Sequence, residues 1–352
     1  MNFKGVEICC PRCQGDLHWE SDARDSLSCA NCQHTYPVIL DIPDLRVFPD
    51  PYIDFEPDRD KGRHLAEHFA AVDFGGLIDY YYSVTDVVPP QHAQLYKRGL
   101  LAAESRSAQT LTAWESHAES EHDTSDLSLL EIGCGTAPLL VTAVSQYRQV
   151  VGIDIAFRWL VAAKKRLEDA GIDAPLICTC AEALPFPDGA FDRVAAESVI
   201  ETVKDQTQTF AECYRVMRPG GRLFVATPNK FSLGPDPHTG LLAGGYLPKS
   251  WTAAYVRKQG GIPPKRKLLS ARSCRRLMQQ AGFEPPDLFL PNVTAVQREM
   301  LGRGLQLGVD VYQTAKRLPF SRQVLHLIGP LLLAVAQRPS VALSTKQERG
   351  QP

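Results

Sequence analysis

The 352-residue chain has no long apolar run and no surplus of charge, and each absence removes a class of function. Its first residues, MNFKGVEICC, contain no apolar stretch of the kind that directs secretion, so the chain reads as cytoplasmic. The longest apolar run, 324–336, has 13 residues and includes His326 and Pro330, against the roughly 20 apolar residues of a membrane-spanning helix. It reads as a core helix or an interfacial segment. A net charge of −2, from 38 basic and 40 acidic residues, gives no global pull toward nucleic acid or membrane, so any such attraction must be local. No internal repeat is visible. The 44% hydrophobic and 22% charged content is ordinary for a soluble protein with a sizeable core, which excludes collagenous and wholly disordered classes. The length suits one large domain with a small attachment.

What is present begins with cysteine. Five of the ten cysteines fall in the first 32 residues, and four form Cys10-Pro-Arg-Cys13 and Cys29-Ala-Asn-Cys32. Two such turns, fifteen residues apart, suit a closed tetrahedral Zn²⁺ site, because each aims two thiolates at one ion. A pair of disulfides or free thiols are the alternatives, disfavoured given a reducing cytosol. Cys9 is a spare, and His18 and His34 are surplus once four thiolates are counted. Residues 1–60 hold twelve acids against five bases, a balance that repels phosphate backbones and opposes a nucleic-acid role for this segment.

The Pro- and acid-rich stretch 46–62 reads as a linker, and 63–118 as mostly helical, with Tyr80, Tyr81 and Tyr82 clustered. From Leu127 short apolar runs alternate with amphipathic helices, which predicts a doubly wound, seven-stranded, mostly parallel α/β sheet. Strands are expected at 128–132, 150–153, 175–178, 193–196, 222–227 and 283–290, with 340–346 returning as a last antiparallel strand. Helices are expected at 156–170, 206–217 and 270–281. The division expected is 1–48, a zinc ribbon; 49–126, an acidic linker and helical lid; and 127–352, the sheet domain, with insertions at 228–269 and 293–337.

The first strand runs into Leu129-Leu-Glu-Ile-Gly-Cys-Gly-Thr-Ala137, where Gly133 and Gly135 allow a tight turn and close approach of a ligand to backbone N–H groups. Asp154 ends the second strand 21 residues after Gly133, the placement at which a carboxylate accepts both ribose hydroxyls of a nucleotide-like cofactor. Pro138 stands where a dinucleotide site has its third glycine, which tilts the choice away from NAD. With these features, 181–192 (AEALPFPDGAFD), 196–205 (AESVIETVKD) and 215–229 (RVMRPGGRLFVATPN) resemble the class I S-adenosylmethionine-dependent methyltransferases. The two cysteine turns and Thr35-Tyr-Pro-Val-Ile-Leu-Asp-Ile-Pro-Asp-Leu45 resemble the zinc ribbon of tRNA-methyltransferase activator subunits. The resemblance implies a Rossmann-like domain over about 127–290. It implies that Glu131 orients the cofactor's amino-acid end and that Gly133 and Gly135 meet its backbone side. Asp154 takes the ribose, Ala181 and Glu182 form the adenine loop, and Ala196, Glu197 and Ser198 lie beside the reactive methyl. Cys180 departs from the Asp or Asn usual before Ala181, so the adenine there leans on backbone.

Methyl transfer from a sulfonium is an in-line displacement that needs alignment in a dry site more than a fixed catalytic constellation. His238, in the insertion after the fifth strand, is the expected proton acceptor, with Glu201 and Asp236 as alternatives. Between Pro237 and Phe283 stand nine bases and no acids, a local positive patch suited to an anionic substrate or an anionic lipid surface. The expected function is methyl transfer from S-adenosylmethionine to a small-molecule or lipid-linked, anionic intermediate, with a peripheral membrane contact open and nucleic acid disfavoured. An RNA methyltransferase and a non-catalytic adaptor that retains the fold are the alternatives. The acceptor atom and the oligomeric state are not legible.

Overall fold

Six short strands open the chain: β1 (Asn2–Phe3), β2 (Val6–Glu7), β3 (Leu17–Trp19), β4 (Ser26–Cys29), β5 (Thr35–Ile39) and β6 (Ile42–Pro43). β3 to β6 form a four-stranded antiparallel sheet, β1 and β2 a hairpin. The computed structural model describes residues 1–85, 88, 90–117, 123–234, 236, 239–293, 298 and 303–340. Four helices follow the ribbon: α1 (Phe55–Ala66), α2 (Phe74–Ser83), α3 (Pro90–Leu101) and α4 (Ala103–His117). The stretch read as a linker therefore becomes helical at Phe55, capped by the Asp54 side chain.

The main sheet is built from β7 (Ser128–Ile132), β8 (Gln149–Asp154), β9 (Leu176–Cys178), β10 (Phe191–Glu197) and β11 (Met217–Pro228), all parallel, in the spatial order β9-β8-β7-β10-β11. β12 (Asp287–Phe289) and β13 (Leu331–Gln337) complete the seven strands, with β13 antiparallel between β11 and β12. Alternate residues serve opposite faces: Leu130, Val151 and Ile177 join one core, and Leu129, Val150 and Leu176 the other. The helices among these strands are α5 (Pro138–Ala143), α6 (Phe157–Asp169), α7 (Gln206–Val216), α8 (Lys249–Lys258), α9 (Ala271–Gln280), α10 (Arg303–Ala315) and α11 (Pro319–Ile328). Asp205 caps α7 through the Thr207 and Gln208 N–H groups, and Ser270 with Ser273 forms a capping box on α9.

The last strand lies where the sequence suggested a helix. Residues 324–336 split at Gly329-Pro330, which end α11, and Leu331–Gln337 then pairs with β11 from Leu331↔Pro228 to Gln337↔Arg222. A short unbroken apolar run fits a strand buried on both faces as well as a helix, and the sheet supplies both faces here. The insertion expected to run to 337 ends before this strand, and the strand expected at 340–346 lies, past Ser340, outside the described residues.

The ribbon is fused to the sheet. Phe3, Val6, Ile8, Leu17, Leu27 and Tyr36 share a core with Ile177 and Phe186. Past β6 the chain runs beside β9: Asp44 bridges Cys178 in parallel, and Leu45 N–H donates to Cys178 O at 2.7 Å. The exposed edge of β9 is thereby covered. Arg46, its side chain fully buried, donates to Asp44 (2.8 and 2.6 Å), Asp58 (2.8 Å) and the Ile155 carbonyl (3.0 Å). Asp58 in turn accepts the Phe157 N–H at 2.8 Å and Arg158 Nη1 at 2.6 Å, taking the place of the cap that Ala156 cannot give α6.

Candidate active site and metal centre

The turn after β7 is fixed by backbone contacts to β8: Cys134 N–H donates to Ile153 O at 2.9 Å. Gly133 has φ +69°, and a Cβ there would fall 2.1 Å from Val199 Cγ2, so only glycine fits. Asp154 Oδ2 accepts the Gly135 N–H at 2.9 Å and Oδ1 the Ala156 N–H at 2.8 Å. Burial raises the Asp154 carboxyl pKa, against the pull of these amides and of Arg158. Glu131 is buried near the carboxyl end of β7, and its Oε2 has no hydrogen-bond partner. Burial first, then the charges of Glu197 and Asp154, hold its carboxyl well above the usual range.

These elements border a cavity of about 910 Å³, at the carboxyl ends of β7, β8 and β10. Of the residues singled out for the cofactor, Gly133, Asp154, Ala181 and Glu182 line it, as does Ser198. Glu131, Gly135 and Glu197 do not line it, although Gly135 orients Asp154. Glu182 Oε1 is engaged by the Lys204 (2.6 Å) and Asp205 (3.1 Å) N–H groups, which fixes the turn before α7. Ser198, at φ +58°, turns the chain out of β10 beneath the cavity. Cys180 is fully buried, and its Sγ lies 3.4 Å from the Phe48 carbonyl; it holds the post-ribbon segment.

Sequence reasoning missed an entire wall. Phe48, Pro49, Asp50, Pro51 and Tyr52, from the stretch read as a linker, line the cavity, together with Trp159. Tyr81 packs against Trp159 with ring centroids 4.8 Å apart and supports the wall from behind, while Tyr80 stacks on His68 at 3.7 Å. His238 lies outside the described residues. Glu201 is fully buried and accepts the Thr227 hydroxyl at 2.9 Å, while Asp236 pairs with Arg266; neither lines the cavity.

At the other end of the ribbon, Cys10 and Cys32 Sγ are 3.7 Å apart, Cys13 and Cys29 Sγ 3.4 Å, and all four lie within 4.8 Å of one another. Thiolates around one zinc at a Zn–S distance of about 2.3 Å sit about 3.8 Å apart, so the set fits a tetrahedral Zn²⁺. A Cβ on Gly15 would fall 2.7 Å from Asn31 Cβ and 3.2 and 3.3 Å from Cys29 and Cys13 Sγ, so the close approach of the chain to the cluster needs glycine there. None of the ten cysteines is in a disulfide. Cys9 donates to Gln14 Oε1 at 3.0 Å, away from the cluster, and His18 and His34 stand outside it.

Residues 130–225 match the family described as methyltransferase domain. The chain carries a methyltransferase domain. Residues 8–39 match the Trm112p-like protein family, so the zinc ribbon is of that type. The chain is 32% identical over 232 residues to an uncharacterized 37.1 kDa protein in transposon TN4556 of Streptomyces fradiae, covering 62% of this chain and 63% of that one. It is 38% identical over 96 residues to demethylmenaquinone methyltransferase of Thermus thermophilus, covering 27% and 44%. It is 30% identical over 161 residues to ubiquinone biosynthesis O-methyltransferase of Dinoroseobacter shibae, covering 46% and 61%. The chain thus spans less than two thirds of the length of these relatives. A possible histamine N-methyltransferase of Thermotoga maritima overlays 70% of this chain and 97% of its own, at 19% identity and a TM-score of 0.44.

The cofactor of the methyltransferase domain is S-adenosylmethionine, and the residues present fit it. A held carboxylate, Asp154, faces the cavity beside the cramped glycine turn, and on the strand leading into that turn the buried Glu131 Oε2 has no partner, although Glu131 does not itself line the cavity. Among the described residues no helix is long and apolar enough to cross a membrane.

Proposed function

We propose that this chain is an S-adenosylmethionine-dependent methyltransferase acting on a small-molecule acceptor, with zinc in a structural role. The observation that carries the reading is Asp154, whose two oxygens are set by the Gly135 and Ala156 amides on the wall of a cavity shared with Gly133 and Ala181. When bound, the cofactor supplies a methyl group on a sulfonium, which needs no activation by the protein. Asp154 would hold the ribose, Glu131 the amino-acid end, and Ala181 with Glu182 the adenine side, while Gly133 and Gly135 keep the turn open. Glu197 at the end of β10 and the Ser198-Val199 turn would flank the methyl. Phe48 and Trp159, both partly buried, would screen that side of the cavity from water. His238 is proposed as the proton acceptor for an acceptor hydroxyl.

The three-part division into 1–48, 49–126 and 127–352 is proposed in functional terms as metal centre, cavity wall and catalytic sheet. Quinone-directed names among the relatives support an acceptor with a polar ring and an apolar tail. Leu318, Phe320 and Leu327 on and beside α11 are exposed, Phe320 by 81%, and offer an apolar surface for such a tail or for a membrane interface. A cytoplasmic location agrees with ten cysteines of which four suit zinc and none is in a disulfide. The test is incubation of the purified chain and isotopically methyl-labelled cofactor with cell extracts, followed by mass spectrometry. Label appearing in a small metabolite or lipid is expected. Label confined to RNA would move the reading to the RNA alternative, and a chain that binds no S-adenosylhomocysteine would leave only the adaptor.

A further inference from the structure

We propose that the acceptor carries a phosphoryl group and that Arg266, with Lys204, Lys249, Lys265 and Lys267, forms the subsite that holds it. This deepens the reading above and rests on it.

The first argument is charge. The cavity is lined by six cations, these five and Arg158, against three carboxylates, Asp50, Asp154 and Glu182. Each carboxylate is already engaged. Asp50 faces Arg158 at 3.3 Å, Asp154 accepts two amides, and Glu182 accepts two more. Among the described residues no carboxylate pairs with Lys204, Lys249, Lys265 or Lys267. S-adenosylmethionine adds a further net positive charge, since its sulfonium and ammonium outnumber its carboxylate. Like charges gathered in a partly enclosed space repel, and an anionic acceptor offsets that repulsion.

Geometry supplies the second argument. The strip that bears Lys265 to Lys267 is pinned by its backbone: Lys265 N–H donates to Tyr52 Oη at 2.6 Å and Lys267 N–H to Glu201 O at 2.6 Å. Three consecutive side chains therefore line the cavity in fixed register. Lys267 Nζ uses one proton on the Lys204 carbonyl at 2.8 Å, and Lys265 Nζ one on the Pro51 carbonyl, which leaves each ammonium two donors.

The third argument is a missing partner. Only 8% of the Arg266 side chain is exposed; its Nη2 meets Asp236 Oδ2, yet its Nη1 is buried with no hydrogen-bond partner. Such a donor is costly to leave bare, and among the described buried side-chain atoms without a partner it is the one whose residue lines this cavity. A carboxylate would need only one guanidinium fork. One guanidinium on the wall of a cavity that several ammoniums also line matches an ion with three or more oxygens and more than one negative charge.

The probe is inorganic pyrophosphate, titrated calorimetrically into the full chain with and without saturating S-adenosylhomocysteine. Pyrophosphate is expected to bind at least tenfold more tightly than succinate. Its affinity is expected to fall tenfold or more in Arg266→Gln and in the Lys265→Gln, Lys267→Gln pair, with S-adenosylhomocysteine affinity changed less than threefold. The lysine pair is exposed, so it tests the subsite even if Arg266→Gln fails to fold. No pyrophosphate binding, succinate binding as tightly, or undiminished binding to the folded variants would overturn the proposal. Loss of pyrophosphate in the variants of a chain that never binds S-adenosylhomocysteine would instead sink the methyltransferase reading and leave the anion site standing. Sedimentation with phosphatidylcholine vesicles, with and without phosphatidic acid, separates the sources. Pelleting that needs phosphatidic acid and is reversed by pyrophosphate assigns a lipid headgroup, whereas pyrophosphate binding without pelleting assigns a soluble phosphoryl substrate.

Discussion

Replacing Asp154 with alanine tests the cofactor site at the atom that carries it. Each Asp154 oxygen spends one acceptor position on a backbone amide, Gly135 at 2.9 Å or Ala156 at 2.8 Å, and keeps another for a ribose hydroxyl. Two hydroxyl-to-carboxylate hydrogen bonds at about 1.5 kcal/mol each amount to about 3 kcal/mol, or roughly a 150-fold rise in Kd. Asp154→Asn keeps the volume but turns an amide N–H₂ toward one of the two backbone donors, so its loss should be comparable. A packing defect alone would spare the asparagine variant. The assay is calorimetric titration of S-adenosylhomocysteine, with circular dichroism to establish that both variants are folded. Folded variants whose Kd stays within threefold of wild type would refute the assignment of the ribose to Asp154.

Three further outcomes follow from the same contacts. Purified protein should hold about one zinc per chain, lost in the Cys29→Ser, Cys32→Ser double variant by elemental analysis. Because Phe48 and Tyr52 wall the cavity directly after the ribbon, S-adenosylhomocysteine affinity should fall at least tenfold with the metal. Arg46→Met takes one of two guanidiniums from each of Asp44 and Asp58, which keep Arg59 and Arg158, and should cost about 3 kcal/mol in urea denaturation from the charge-assisted hydrogen bonds lost in the interior. Glu131, whose carboxyl is pushed up by burial and by Glu197 and Asp154, must ionise to meet an ammonium, so cofactor affinity should strengthen as pH rises through that raised value. The unfolded chain ionises this residue near pH 4.3, below the folded value, so unfolding is increasingly favoured between the two as pH rises. Glu131→Gln should flatten the pH dependence of cofactor binding and be more stable than wild type without cofactor at neutral pH, by thermal denaturation.

What could be read from the sequence was local. The two cysteine turns are complete within four residues each, and their sulfurs do converge. The glycine turn, the strand before it and Asp154 one strand later are a contiguous pattern, and β7 begins and ends at the residues expected. The misreadings concern contacts that no local pattern announces. Asp58 reaches the amide of Phe157 across 99 residues, and Arg46 the carbonyl of Ile155 across 109, so a Pro- and acid-rich run that reads as a solvated linker is drawn into the fold. Leu331–Gln337 is apolar at every position but its last, which leaves helix and strand undistinguished until a sheet is there to bury both faces.

The same long-range pairing changes what the charge count means. Twelve acids against five bases in residues 1–60 suggest a surface hostile to polyanions. Three of those acids, Asp44, Asp50 and Asp58, are instead buried against Arg46, Arg59 and Arg158, where they hold the ribbon's exit strand and the start of α6 together. Acid in this segment is partly structural, and it neutralises cations close to the cofactor turn. The lysines of 249–267 receive no such counterweight, and four of the five cations proposed for the anion subsite come from that strip. In a chain with a net charge of −2, three buried acids thus serve the joint between its parts, while positive charge lines its cavity. Raised salt should accordingly weaken the exposed lysine contacts to an anionic acceptor far more than the buried Arg46 joint.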